Sequence, residues 1–563
     1  MATLQFKGKS AVWNHHLSVP YHTLEKDAKK SFKGTDAEEN LIIEGDNLLA
    51  LKSLLPVYQG RVKCIYIDPP YNTGNEGWVY NDSVNSPTIQ SWIGEAVGKD
   101  DLTRHDKWLC MMTPRLKLLR ELLDDDGVLF ISIDENEASN LKLLLDDIFT
   151  NGYLGTISVV NNWKGRSDDE YIATCNEYLL AYAKDRSRFE MYGFPLSQEN
   201  IDEYDQTDEL GPYKEVGLRK TGKGWRREDR PNMYYPIFYT ESTRELSLKK
   251  SSDAIEILPL TKDNEDGRWR WGADTFEKRK AQDVVVRQVR GGAYRAFSKM
   301  RLNDPDEEGE RTLLPKSTWI DPRYDTAKGN QALKDLFETK SDLFENPKPV
   351  EFVKDILRIS TASDAIILDS FAGSGTTAQA VLELNKEIEG SNRKFILVQM
   401  PEEIEKDTPA HKMGFRWIHE ITRDRVKRVV ERIKNKLGFT YYTLGPAIDS
   451  ETLLGGDLPK YNEFAKYVYY LATGKNHPDE KKIKESTAFV GKADNESVYL
   501  IYEQEMSALK KLAITLDWAQ KTHAKDNGKK IVYAPACYLD DEMLDQFNIK
   551  FVSIPYNLFE RNA

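Results

Sequence analysis

Four consecutive residues, Asp68-Pro69-Pro70-Tyr71, combine the types needed to hold an amine while it reacts. The Asp68 carboxylate and the Pro69 carbonyl each accept one N–H, and the Pro70 ring makes their geometry rigid. Tyr71 adds a flat face on which an unstacked base can lie. The exocyclic amine of a base is a poor nucleophile, because its lone pair is spread into the ring. It must be held if it is to attack a methyl sulfonium in line, and positioning alone can supply much of a rate. The same residues also suit a plain proline-rich turn, with Asp68 capping a strand end and Tyr71 packed on the surface.

A strand must deliver these residues. Ile65-Tyr66-Ile67 is a β-favouring run that opens directly into Asp68-Pro69-Pro70-Tyr71-Asn72-Thr73-Gly74, where two prolines forbid further ladder bonding. In open α/β sheets ligands bind beyond the carboxyl ends of the strands, which is where this loop lies. A second strand, Ala365–Asp369, runs through Ser370-Phe371-Ala372-Gly373-Ser374-Gly375-Thr376-Thr377 into the helical run from Ala378 to Leu384. Such a turn lets a ligand approach the backbone and meet a helix N-terminus. By spacing alone, Gly373, Gly375 and Ala378 also satisfy a dinucleotide site. A phosphate loop of the Gly-Lys-Ser/Thr type is excluded, because Thr376-Thr377 follows Gly375.

Taken together, FAGSGTT and DPPYNTG, in that reversed chain order, resemble the β class of DNA amino-methyltransferases. The resemblance implies that Asp68, Pro69, Pro70 and Tyr71 act on the target amine. It implies too that Asp369, Phe371, Ala372, Gly373, Ser374, Gly375 and Thr376 bind S-adenosylmethionine, with no metal. Flanking segments carry it further. Glu44-Gly45-Asp46-Asn47 resembles the contact to the adenine end of the cofactor, with Asp46 as acceptor, and Asn346-Pro347-Lys348-Pro349 the cofactor-side helix entry. Gln399 and Glu402, at the end of the run from Phe395, are candidates for the ribose hydroxyls. Asn176-Glu177-Tyr178 departs from the pattern, since a histidine is expected before the acid.

Between Lys214 and Tyr239 seven basic residues face three acids and interleave with Trp225, Tyr234, Tyr235 and Tyr239. Basic and aromatic residues in alternation suit phosphate contact and base stacking. Arg219, Lys220, Lys223, Arg226, Arg227, Arg230, Tyr234, Arg268 and Arg270 are the candidate contacts to double-stranded DNA; Arg287, Arg290, Arg295, Lys299 and Arg301 form a second basic cluster. A solvated charged face is the alternative. The segments RPNMYYPI (230–237), GRWRW (267–271) and PKSTW (315–319) narrow the resemblance to modification subunits of Type III restriction systems. That family implies adenine N6 as target, a homodimer, and a separate helicase-nuclease partner. Cytosine N4 methylation, a solitary regulatory methyltransferase, an oxidoreductase built on the glycine turn, and an inactive DNA-binding module remain the alternatives.

The expected fold is a doubly wound α/β methyltransferase sheet interrupted by an inserted recognition domain, followed by a small C-terminal α/β domain. The expected segments are an N-terminal extension at 1–40 and a catalytic half at 41–188. Recognition follows at 189–340, a cofactor half at 341–440, and a docking or dimerisation domain at 441–563, with strands at 497–503 and 530–534 around one helix at 506–521. A formal charge of -12 opposes DNA binding overall, but screening over about 10 Å leaves local basic clusters in control. Cys64, Cys110, Cys175 and Cys537 stand apart and read as buried thiols rather than a zinc site or disulfide framework. No apolar run reaches the roughly 18 residues of a membrane span. The start lacks the pattern of a secretory signal, and a cytoplasmic location is expected.

Overall fold

The computed structural model describes residues 3–34, 37–73, 103–167, 169–304, 311–433, 437–455, 458–493 and 495–554. Gly74 lies outside them. The chain divides into two compact bodies, Met1–Tyr192 with Pro315–Ala563, and Gly193–Leu314.

The first body is built on a ten-stranded sheet. Its strands are β1 (Tyr21–Lys26), β2 (Leu41–Glu44), β3 (Val62–Ile67), β4 (Leu123–Ile133), β5 (Tyr153–Val160), β6 (Asn176–Ala183), β7 (Thr318–Trp319), β8 (Ile366–Asp369), β9 (Lys394–Gln399) and β10 (Thr440–Ile448). They lie side by side in the order β1-β10-β2-β9-β8-β3-β4-β6-β5-β7. The six strands from β10 to β4 are mutually parallel. β6 runs antiparallel to both β4 and β5. Parallel strands covered on both faces need almost continuous apolar runs, and β3 (VKCIYI) and β9 (KFILVQ) have them. Helices α1 (Asn47–Tyr58), α2 (Arg104–Leu122), α3 (Ala138–Ile148), α4 (Thr326–Phe337), α5 (Val350–Ser360), α6 (Thr376–Glu387) and α7 (Ile418–Ile433) accompany the sheet. The sequence reading of a doubly wound sheet therefore holds.

β8 and β3 are neighbours, with Ile367 opposite Cys64 and Leu368 opposite Ile65. The two motifs consequently leave the same edge of the sheet side by side. Three residues at positive φ set the backbone there. Asn72 is held at φ 59°, a left-handed conformation that asparagine tolerates better than most residues. Gly373 and Gly375 sit at φ 51° and 84°.

Several sequence boundaries need correction. Residues 1–40 are not an appendage: β1 pairs antiparallel with β10 at the sheet edge, a long-range pairing that no local pattern announces. The cut at 440/441 falls inside β10, and Tyr21 stacks on Tyr467 at 4.4 Å within a core shared by β1, β10 and the C-terminal segment. In that segment a four-stranded sheet is formed by 489–493, 496–500, 529–534 and 549–553. The single helix expected at 506–521 is two, Met506–Leu509 and Leu516–Lys525. The inserted body is narrower than 189–340, because β7, which carries the end of the PKSTW segment, pairs with β5, and α4 packs in the first body. Cys64 and Cys110 are buried as expected, whereas Cys175 and Cys537 are partly exposed.

The second body contains antiparallel sheets: strands 237–240, 245–247 and 255–257 in one, and 206–208, 211–217, 284–288 and 294–301 in another. Leu218, Ile237, Trp269 and Phe276 lie in its core. Its ends, 194–195 and 312–313, pair with each other. No helix among the described residues is long and apolar enough to cross a membrane.

Gly329 of α4 brings that helix against the backbone before Lys348: an added Cβ would lie 1.9 Å from the Pro347 carbonyl oxygen. Gly329→Ala is expected to destabilise the first body by about 1–3 kcal/mol, read as a lowered unfolding midpoint in urea. An unshifted midpoint would show that the 347–348 backbone yields freely.

Candidate active site

Asp68 ends β3 half-buried and does not stand alone. The Tyr71 hydroxyl donates towards Asp68 Oδ1 (2.9 Å) and Glu177 Oε2 (3.0 Å) as alternative acceptors. Lys348 Nζ donates to the Tyr71 oxygen and to Glu177 Oε2, each at 2.6 Å, and lies 3.4 Å from Asp68 Oδ1. Asn161 Nδ2 adds a third donor to Glu177 Oε2, at 3.0 Å. One ammonium thus faces two carboxylates around a tyrosine hydroxyl. Burial raises the Asp68 carboxyl above its ordinary range and the nearby Glu177 charge raises it further, while Lys348 and the Tyr71 hydrogen bond oppose the rise.

The motif is pinned from behind. Trp108, fully buried on α2, donates its indole N–H to the Pro70 carbonyl at 2.7 Å. Met112 on the same helix is core, and Trp108 is core with a polar anchor to the loop. Asn72 Nδ2 donates to the buried Glu137 Oε1 at 2.6 Å, and His105 Nδ1 meets the same oxygen at 2.6 Å. Asn140 holds Glu137 Oε2 at 2.9 Å. Glu137 follows the carboxyl end of β4, so topology rather than a local motif marks it.

Around the glycine turn, Asp369 Oδ1 accepts from the Phe371 N–H at 3.0 Å, and Oδ2 from the Thr377 hydroxyl at 2.5 Å. No cation among the described residues lies within ion-pair distance of Asp369. Its burial pushes the carboxyl up to about 7. Phe371 packs against the main core, and the Ala372 N–H reaches the Val398 carbonyl at 3.1 Å. Gln399 Oε1 accepts from the Gly373 N–H at 2.7 Å, and its amide donates to Glu402 Oε1 at 3.1 Å. The Thr376 hydroxyl donates to the Lys348 carbonyl at 3.2 Å. Arg425 on α7 donates to the Ser374 and Thr376 hydroxyls at 2.6 and 2.8 Å.

The sequence-selected residues separate by position. Asp46 caps α1, accepting from the N–H groups of Leu48 and Leu49 at 2.8 and 3.2 Å, with Arg115 3.5 Å from its other oxygen. Such a cap is worth about 1 kcal/mol, which gives Asp46 a structural role before any ligand binds. Gly45 donates to the Gln399 carbonyl at 3.1 Å, so Asp46 and Gln399 share one edge of the turn. Lys348, selected as a cofactor contact, has its ammonium on Glu177 and near Asp68 while its carbonyl meets the turn. Glu177, seen in the sequence only as a departure, is central.

Within the second body, Lys220, Arg230, Arg268 and Arg270 line a cleft of about 460 Å³ with Arg279, Lys299 and Arg311. Asp304 is the acid in that lining, and it pairs with Arg279 at 3.1 Å. Arg268 and Arg270 also brace loops, donating to the Gly224 and Gly217 carbonyls at 2.6 and 3.0 Å. Arg219, Lys223, Arg226, Arg227 and Tyr234 are not in the cleft lining. Arg227 pairs with Asp266 at 3.0 Å and lies 4.1 Å over the Tyr234 ring, whose hydroxyl holds the same acid. From the second cluster, Arg301 is buried on Asp208 and Asp283 and Arg287 pairs with Glu215. Those two are internal ion pairs.

Residues 62–408, which include both motifs, match a family model described as DNA methylase. The chain belongs to the DNA methylase family. The EcoPI Mod subunit of a Type III restriction-modification enzyme, from Escherichia phage P1, is 35% identical over 70% of this methylase and 62% of its own length. The Type II methyltransferase M.KpnI of Klebsiella pneumoniae is 32% identical over 72% of this chain and 90% of that one. The StyLTI Mod subunit of Salmonella typhimurium is 32% identical over 72% and 60%. The methylase therefore spans about three-fifths of the length of those two Mod subunits.

Removing Lys348 would leave two carboxylates facing each other. A carboxyl raised above its unfolded value contributes stability at low pH that is lost as pH rises through the folded value. Lys348→Met raises Asp68 further, so its melting temperature should fall below the unaltered protein's by a gap that widens as pH rises above the ordinary carboxylate range. Melting curves at rising pH check it; a constant gap would mean the ammonium is not balancing the two acids.

Proposed function

We propose that the chain is a site-specific DNA methyltransferase that moves a methyl group from S-adenosylmethionine to adenine N6. The observation that carries this reading is the pairing of β3 with β8, which sets the Asp68-Pro69-Pro70-Tyr71 loop beside the glycine turn at one sheet edge. The residues present suit such a cofactor. Asp369 is a buried acid with no cationic partner among the described residues, and the Ser370 hydroxyl and one Arg425 N–H group are buried without hydrogen-bond partners. The cofactor's cations and carboxylate complement those groups. When bound it supplies an electrophilic methyl group on sulfur.

In this reading the chain's own residues do the following. Asp68 Oδ2, the oxygen not engaged by Tyr71 and Lys348, and the Pro69 carbonyl accept the two N–H groups of the amine and aim its nitrogen. Pro70 keeps that carbonyl rigid, Trp108 anchors the loop, and the Tyr71 ring stacks on the extruded base. Lys348 opposes the upward push of burial on Asp68 and so favours the form that accepts, while Glu177 shares the ammonium and holds the Tyr71 hydroxyl. Asp369 faces cofactor cations. Asp46, Gln399 and Glu402 form the edge for the nucleoside end, and residues 371–376 line the approach.

The basic cleft of the second body is the place for duplex phosphates, through Lys220, Arg230, Arg268 and Arg270. Arg219, Lys223, Arg226, Arg227 and Tyr234 remain contacts of the surrounding surface. The Mod-subunit relatives support placing this methyltransferase in a Type III-like restriction-modification system; a cytoplasmic homodimer that can join a helicase-nuclease subunit completes the proposal.

Single-molecule sequencing of DNA from cells expressing the protein should reveal N6-methyladenine at one short motif, and Asp68→Ala should abolish it while cofactor affinity stays within about tenfold. N4-methylcytosine instead would reassign the target, and equal methylation by the variant would remove Asp68 from the chemistry. A bound cation favours the ionised form of Asp369, so cofactor affinity should rise with pH up to about 7 and level off above it. Calorimetry at several pH values reads this, and Asp369→Asn should flatten the profile.

A further inference from the structure

Arg425 is a fully buried arginine whose charge the described residues leave unanswered. Its Nε donates to Gln379 Oε1 at 2.8 Å, and one terminal nitrogen donates to Ser374 Oγ and Thr376 Oγ1. The other terminal nitrogen, also buried, has no hydrogen-bond partner among the described residues. No carboxylate among the described residues stands within ion-pair distance. The nearest link to one is indirect, through the Gln379 amide, which donates to Glu383 Oε1 at 2.8 Å. Burial draws the guanidinium down to about 9, so it stays charged at neutral pH. An unpaired buried charge is expensive, and its retention beneath a ligand loop calls for a negative group that arrives with the ligand.

The hydrogen-bond directions say how that group is met. A guanidinium carries donors only, so both hydroxyl oxygens must accept from it and send their own protons elsewhere. Thr376 has an acceptor, the Lys348 carbonyl at 3.2 Å. Among the described residues Ser374 has only the Thr376 oxygen, at 3.5 Å, the outer limit of a hydrogen bond. Its proton is therefore left for an acceptor outside the protein.

We propose that Arg425 is a positioning residue for the carboxylate of the cofactor's amino-acid tail: it turns the Ser374 hydroxyl into an obligatory donor and supplies the charge behind it. The inference rests on the cofactor reading above and deepens it. It also orients the tail. The carboxylate end points to Ser374 and Arg425, and the cationic groups fall towards Asp369 and Asp68.

Calorimetric titration with S-adenosylmethionine and with its decarboxylated analogue tests this. A charge-assisted hydrogen bond accounts for about 10- to 100-fold in affinity. Arg425→Met and Ser374→Ala should each weaken S-adenosylmethionine by that factor and leave the analogue within about threefold, the double variant being no worse than the weaker single one. Arg425→Lys should recover part of the loss. If Arg425→Met does not fold, Ser374→Ala, which keeps the arginine, carries the same expectation. Equal losses for both compounds would overturn the role of Arg425 while leaving the cofactor reading intact. An unaltered protein that binds neither compound overturns that reading, and this proposal with it.

Discussion

The ladder between β3 and β8 is the contact on which the site depends. It joins two strands far apart in the chain and sets Asp68 and Asp369 at one carboxyl edge, close enough that the charge of each bears on the other. Every other arrangement at the site corrects for that closeness. Lys348 stands between Asp68 and Glu177, the Tyr71 hydroxyl donates to the acids, Thr377 and a backbone N–H hold Asp369, and Arg425 lies behind the turn. Lys348 answers Asp68 and Glu177, while Asp369 and the Arg425 guanidinium have no ion-pair partner among the described residues. A zwitterionic ligand complements both of the latter, whereas a neutral one would leave both unsatisfied.

Much of this was legible in the sequence, because the responsible residues are local in the chain. A continuous apolar run followed by two prolines can only be a buried strand ending in a loop, and a strand, glycine turn and helix in succession give the second half. The remainder depends on pairings with no local trace. β1 completes the sheet edge by contact with β10, and the acid of Asn176-Glu177-Tyr178 reaches the Asp68–Tyr71 loop only because β6 runs antiparallel beside β4. Lys348, chosen from the sequence for the cofactor side, has its carbonyl on the glycine turn while its side chain reaches across to Tyr71. Arg425 sits in an ordinary amphipathic helix, where a basic residue reads as solvated until its burial is known.

Density of arginine and tryptophan proved a poor guide to boundaries and to contacts in the second body. Trp269 belongs to its core, Arg301 is locked by two acids, and Arg227 shares Asp266 with Tyr234. Lys220, Arg230, Arg268 and Arg270 line one cleft beside Arg279 and Lys299, which are themselves paired with Asp304 and Asp208. Charge in sequence counts only what is present; charge available to a phosphate is what remains after internal pairing.

The second body begins and ends on its own two-stranded ribbon, 194–195 against 312–313. Topologically it is a long hairpin loop of the first body, and the entropy of closing a loop grows only slowly with its length. An insert of another size could therefore occupy the same two junctions without altering the order of a single strand in the ten-stranded sheet. That arrangement makes the second body an exchangeable part of the chain, a single cassette between two segments that share one sheet.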